Sequence, residues 1–219
     1  MPLTAQIRHA LALSLLGALP AVADTIYQTA GTESVQYAIN TSEAIAISWT
    51  STVGYSNVSI GVSLSDGLNT DTDVFEAGEA FLLDSIGSGT TEAAVLAYTT
   101  FNFPHGPQDQ QLFAGVILNP GTYYLLLDSS SSVGGGWQAT DTPDGLTVTT
   151  APGVASNGDF YSLAVNQTFA PDSTFMSGLV YEPLLNVTGT LTTPEPPSGG
   201  LLITSFLALC VLRPQHRLF

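Results

Sequence analysis

Alternating apolar residues constrain the fold of this chain more than any other feature of its sequence. In residues 57–64 every second side chain is apolar, and the side chains between them are Ser59, Gly61 and Ser63. Successive side chains of a β-strand point to opposite faces, so this stretch has one apolar and one polar face. The pattern is typical of an antiparallel strand that buries one face and exposes the other.

Further stretches have the composition of short strands, and polar turn residues separate them. They are residues 35–39, 44–49, 80–83, 93–101, 111–118, 122–127, 146–150, 160–165, 174–181 and 184–191. We therefore predict an all-β domain over residues 24–193, built as an antiparallel β-sandwich or jelly roll. Residues 73–83 could form a short helix instead.

Positive charge is absent from the predicted domain. The chain has 3 Lys+Arg and 18 Asp+Glu residues and a formal net charge of -15. The three cations are arginines at positions 8, 213 and 217, and Glu195 is the one acid outside residues 24–193. Phosphate backbones repel such a chain, which excludes nucleic-acid binding. The absence of lysine excludes Schiff-base catalysis, and the single Cys210 cannot form an internal disulfide.

The N-terminus has the three parts of a secretory signal peptide. Arg8 provides a short positive region, residues 10–19 are apolar, and Ala21 and Ala23 form a small-x-small cleavage pattern. We predict that residues 1–23 are a signal peptide that is cleaved before Asp24. The alternative is a buried N-terminal helix.

The C-terminus has a second tripartite pattern. Residues 193–200 form a polar break rich in Pro and Gly, residues 201–212 are apolar, and Arg213 begins a basic tail. Twelve residues span about 18 Å as a helix, which is short for a permanent membrane span. The short length of this apolar run indicates that it stays in the membrane only transiently, with the basic tail on the cytoplasmic side.

Pro194, Glu195 and Pro196, followed by the apolar run and by Arg213 and Arg217, resemble the PEP-CTERM sorting signal of Gram-negative bacteria. The resemblance implies that residues 194–219 are a sorting signal whose apolar helix lies transiently in the inner membrane. It also implies that an exosortase recognises and cuts the Pro-Glu-Pro motif. The protein would then reach the cell surface or an exopolysaccharide matrix. A permanent single-pass tail anchor is the alternative.

A second resemblance lies inside the domain. The run from Leu118 through Gly121-Thr122-Tyr123-Tyr124 to Leu127, followed by Gly136-Trp137, is similar to a motif of β-rich ectodomains that PEP-CTERM proteins often carry. Those ectodomains have no firmly assigned activity, so the resemblance implies architecture and location. The turn at residues 119–121 predicts a hairpin, and Trp137 would close one end of the core.

Oxygen ligands are densest in an acidic stretch that predicts a calcium site. Calcium binds six to eight oxygens from carboxylates and loop carbonyls. The glycine and closing glutamate of an EF-hand are missing, so this would be a calcium loop of another type. The alternative is a solvated acidic loop. The candidate ligands are Asp66, Asn69, Asp71, Asp73 and Glu76.

Other candidate chemistry depends on single residues. Trp137 is the better candidate to stack on a sugar ring, whereas Trp49 closes an apolar run and is predicted to be in the core. Glu76 and Glu79 would be the acid and nucleophile of a glycosidase. His105 would have to be the base of a Ser-His-Asp triad, but no G-x-S-x-G elbow is present and its Pro/Gly neighbours predict a loop tip.

We therefore expect a non-enzymatic, exported surface or matrix protein that needs no cofactor, with calcium as a possible ion. The expected partners are an exosortase, the inner membrane during export, and exopolysaccharide. The alternative functions are a carbohydrate-binding module and a glycan-active hydrolase.

Overall fold

A computed structural model describes residues 23–66, 76–87, 90–140, 145–162, 176–177 and 179–192. The strands are β1 Asp24–Ala30, β2 Val35–Ile39, β3 Ala44–Ser51, β4 Tyr55–Ser65, β5 Ala77–Leu83, β6 Val95–Asn102, β7 Gln108–Leu118, β8 Gly121–Asp128, β9 Gly135–Thr140, β10 Thr147–Thr150, β11 Val154–Ser162, β12 Met176–Ser177, β13 Glu182–Pro183 and β14 Leu185–Leu191. In these residues the one helical element is a single 3-10 turn, Glu92–Ala94. The fold is all-β, as predicted.

The strands form two antiparallel sheets. The eight-stranded sheet has the order β10-β1-β14-β4-β9-β13, with β2 added beside β9 and β7 beside β4. The six-stranded sheet has the order β12-β11-β3-β8-β5-β6. Most neighbours are distant in sequence, so the sheets are built by crossovers more than by hairpins.

Facing side chains of the two sheets form one core. The apolar residues of β4 contribute Val58, Ile60, Val62 and Leu64, each no more than 3% exposed, which confirms the burial predicted from their alternation. Trp49 of the six-stranded sheet is fully buried, as predicted. Its ring lies 5.9 Å from that of Tyr27 on β1 and 5.9 Å from that of Tyr123 on β8.

A smaller apolar cluster lies on the other face of the six-stranded sheet. Phe81, Leu83 and Leu126 are buried there with three alanines, and Tyr124 packs against them. Both faces of β5 and β8 are therefore largely apolar. This cluster explains why residues 80–83 and 125–127 have continuous apolar sequences rather than alternating ones.

One alternative and one local prediction are wrong. The helix alternative for residues 73–83 fails over β5, which pairs with β6 and β8 as a strand; residues 73–75 lie outside the described residues. The hairpin predicted at residues 119–121 fails because Leu118 ends β7 in one sheet and Gly121 begins β8 in the other. The Tyr123 hydroxyl donates to the Asn119 carbonyl, so this turn fixes the passage between sheets.

Candidate binding groove

A polar groove crosses the outer face of the eight-stranded sheet. It has a volume of about 530 Å³ and runs over β1, β14, β4 and β7. Most of the described residues that line it are amides, hydroxyls or acids, and none is aromatic. The groove is therefore suited to a ligand that is bound by hydrogen bonds.

One row of residues across the four strands explains the shape of the groove. Strand register places Gln28 opposite Asn186, Asn186 opposite Gly61, and Gly61 opposite Gln111. The row is four strands wide, about 14 Å at the usual spacing between strands. Because Gly61 has no side chain, the row is lowest at its centre and amide side chains flank the depression.

Gly61 also allows β7 to approach β4 closely. A Cβ atom at this position would lie 3.3 Å from the carbonyl oxygen of Gln110. Ser59 and Ser63, the neighbours on the same face of β4, have small side chains and line the groove as well. The small residues of β4 therefore form the floor, and the longer residues of β1, β14 and β7 form the walls.

Two acids make the groove negative. Glu33 and Asp109 both line it, and Glu33 Oε1 accepts a 2.7 Å hydrogen bond from the hydroxyl of Ser63. Residues 24–193 contain no Lys or Arg to offset these charges. The groove therefore favours neutral ligands over polyanions.

A partly buried polar network lies next to the groove on the same face of β4. The side-chain amide of Gln138 donates to Ser65 Oγ at 2.7 Å and to Gln36 Oε1 at 3.1 Å. Ser65 Oγ donates to the same Gln36 oxygen at 2.7 Å. These bonds link side chains of β2, β4 and β9 beside the groove.

The prediction that Trp137 stacks on a sugar is wrong. Trp137 has no exposed surface, and its indole Nε1–H donates a 2.8 Å hydrogen bond to the carbonyl oxygen of Leu184. A ring without an exposed face cannot contact a ligand. The residue instead packs in the core.

The predicted calcium ligands are described only in part. Asn69, Asp71 and Asp73 lie outside the described residues, so the calcium loop stays a prediction. Asp66 is 6% exposed and contacts His105, Oδ2 to Nδ1. In the described part of the chain, no group of three or more His, Cys, Asp and Glu residues is positioned to hold a metal ion.

The acids proposed for a glycosidase lie away from the groove. Glu79 is on the outer face of the six-stranded sheet, where it accepts a 3.0 Å hydrogen bond from the Tyr98 hydroxyl. Register places it opposite Asp128. Burial raises the pKa of Asp128 to about 6; the backbone N–H of Ser129 opposes this shift, and the charge of Glu79 adds to it. The backbone carbonyl of Glu76 accepts a hydrogen bond from the N–H of Phe103.

The predicted trafficking segments lie outside the described residues. One is the predicted signal peptide, of which only Ala23 is described. The other is the predicted sorting signal, with Pro194, Glu195, Pro196, Arg213 and Arg217. Among the described residues, no helix has the length and apolar character needed to cross a bilayer.

Comparison of the chain with protein-family models and with curated proteins finds no match.

Proposed function

We propose that this chain is an exported, non-catalytic β-sandwich of jelly-roll type that works at the cell surface or in an exopolysaccharide matrix. The main support is the placement of all positive charge in two terminal segments that flank an acidic all-β domain. The N-terminal segment directs export. The C-terminal segment holds the protein briefly in the inner membrane until an exosortase cuts near Glu195.

Mass spectrometry of the mature protein tests this proposal. We expect termini near Asp24 and near Glu195, and we expect Glu195→Ala to leave the C-terminal segment attached in the membrane fraction. Pro197→Ala is the matched control, because it changes the same polar break outside the Pro-Glu-Pro motif. Unchanged processing and location of the Glu195→Ala protein would contradict exosortase sorting.

The groove supports a second, compatible function, the binding of a neutral glycan. Its central row of Gln28, Asn186 and Gln111 provides amide donors and acceptors around the depression at Gly61. Amides of this kind hydrogen-bond to sugar hydroxyls, and the charges of Glu33 and Asp109 disfavour acidic polymers. The groove therefore suits uncharged polysaccharide in the matrix.

A glycan array on the purified chain tests glycan binding. We expect neutral glycans to bind and acidic glycans to bind weakly. Asn186→Ala should lower affinity about five- to ten-fold, the effect of losing a hydrogen bond worth about 1 kcal/mol. Asn157→Ala, on an exposed part of β11, should bind as the wild type does. An equal loss of affinity in both variants, or no binding by the wild type, would contradict glycan binding in the groove. Release of new reducing ends from the glycan would favour the hydrolase alternative.

A further inference from the structure

A second group of polar side chains, separate from the groove, lies at the junction of the two sheets. Asp159 comes from β11 of the six-stranded sheet, and Glu182 comes from β13 of the eight-stranded sheet. The hydroxyl of Tyr27 lies 3.0 Å from Ser156 Oγ and donates to Glu182 Oε1 at 3.2 Å. Ser156 and Glu182, one from each sheet, therefore meet at this hydroxyl. Asp159 lies on the same strand as Ser156, and it is near enough to Glu182 for its charge to raise the pKa of that carboxyl.

Asp159 is the unusual member of this group. It is 7% exposed, and its Oδ2 atom has no hydrogen-bond partner among the described residues. A buried carboxylate oxygen without a partner is costly, because it has lost water and gained nothing in return. An unpaired oxygen of this kind is available to a positively charged partner.

No positively charged side chain of the domain can supply that partner. Residues 24–193 contain no Lys or Arg, and their one histidine, His105, contacts Asp66. Burial raises the pKa of Asp159, and hydrogen bonds from the backbone N–H groups of Asp159 and Leu179 to its carboxyl oppose that shift. Burial and the charge of Asp159 raise the pKa of Glu182. The two acids can be neutralised either by protons or by a metal cation.

The available donors are all hard oxygens, and the site is open to solvent on one side. Ser156 is exposed, so an ion can enter there and retain some of its water. Calcium accepts carboxylates in either mono- or bidentate form and tolerates irregular geometry, whereas magnesium requires a near-ideal octahedron. Two carboxylates, a hydroxyl and water fit calcium better than transition metals, which favour nitrogen or sulfur.

We propose that Asp159, Glu182 and Ser156 form a Ca²⁺ site that joins the two sheets. Asp159 and Glu182 provide the charge that balances the ion, and Ser156 provides a neutral oxygen. Tyr27 is a positioning residue, because its hydroxyl orients Glu182 and Ser156 toward each other. The proposal is independent of the groove and of the predicted calcium loop.

Calcium titration of the purified chain, monitored by thermal unfolding and by calorimetry, tests the proposal. Relative to the protein in EDTA, we expect one bound ion and a Tm rise of about 5–10 °C when Ca²⁺ exceeds its Kd about 100-fold. Mg²⁺ at the same concentration should give a smaller rise. A Mg²⁺ effect as large as that of Ca²⁺ would overturn the assignment of calcium.

Variants locate the ion. Asp159→Asn should abolish the Ca²⁺-dependent rise and still melt in EDTA at or above the wild-type Tm, because it removes a buried charge and retains the shape. Glu182→Gln should behave in the same way. Asp84→Asn, at an exposed acid, is the matched control and should retain the full rise. Loss of the rise in Asp71→Asn but not in Asp159→Asn would place calcium in the acidic loop and overturn the proposal.

Discussion

Replacing Asp128 by asparagine should make the protein more stable at neutral pH and leave it unchanged at acid pH. Asp128 ends β8, lies opposite Glu79, and accepts a 2.7 Å hydrogen bond from Ser129 N–H through Oδ1. Asparagine retains an oxygen for that bond and removes the charge. The substitution therefore isolates the cost of holding a carboxylate in this position.

The sign of the effect follows from the pKa. Burial, with a smaller contribution from Glu79, raises the pKa of Asp128 from 3.8 to about 6. The folded state therefore binds a proton more tightly than the unfolded state does, so stability is lost as the pH rises from about 4 to about 6. A difference of about 2 pH units corresponds to about 3 kcal/mol, and partial exposure to solvent lowers this to about 1–2 kcal/mol.

Urea unfolding at several pH values between 4 and 8, in EDTA, measures the difference. We expect Asp128→Asn and the wild type to have equal free energies of unfolding near pH 4, and we expect the variant to gain about 1–2 kcal/mol by pH 7. Asp84→Asn should follow the wild type throughout. A variant that is less stable at pH 7, or a difference that does not change with pH, would refute the reasoning.

Two further substitutions test the packing around β9. Trp137→Phe removes the 2.8 Å donor of the buried Leu184 carbonyl and leaves it only the longer 3.4 Å bond from Ser63 N–H, so the free energy of unfolding in urea should fall by about 1–3 kcal/mol. Gly134→Ala should cost about 3 kcal/mol in the same assay, because its φ is 59° and a Cβ there would lie 1.8 Å from the Ile39 carbonyl oxygen. Gly145→Ala is its control, with φ 84° and open space around the Cβ, and should cost about 1–2 kcal/mol; equal costs at both glycines would contradict the close contact.

The sequence predicts strands from two signals, the alternation of β4 and the continuous apolar runs of β5 and β8, and it misses β1 and β9, which carry neither. β2 has the predicted bounds, and the other predicted strands that are fully described differ by a few residues at their ends. β1 was missed because a bulge between Thr25 and Tyr27 turns both Ile26 and Tyr27 inward. β9 was missed because all six of its residues are buried, so its polar residues carry no periodic signal.

The groove could not be predicted, although its floor could. The polar face of β4, with Ser59, Gly61 and Ser63, is evident from the alternation. The walls come from Gln28, Gln111 and other residues far away in sequence, and only the order and register of β1, β14, β4 and β7 bring them together. A local sequence pattern cannot predict this arrangement, because it depends on which distant strands pair with each other.

The lack of cationic side chains explains how acids are accommodated in this fold. Hydroxyl groups act as the donors that lysine and arginine provide in other proteins: Ser63 to Glu33, Tyr98 to Glu79 and Tyr27 to Glu182. A hydroxyl satisfies a lone pair but adds no positive charge, so it offsets less of the cost of burial than a cation does.

This difference accounts for the direction of the pKa shifts and for the unusual state of Asp159. Burial raises the pKa of Asp128, Asp159 and Glu182, because no nearby positive charge opposes it. Such carboxylates bind protons or metal ions more readily than paired ones do. Asp159 has an oxygen that not even a hydroxyl satisfies, so calcium should stabilise the protein most where protons are scarce. The Tm rise produced by Ca²⁺ should therefore increase as the pH is raised from the ordinary carboxyl range near 4. A rise that is the same at every pH, acid or neutral, would show that these two acids do not hold the ion.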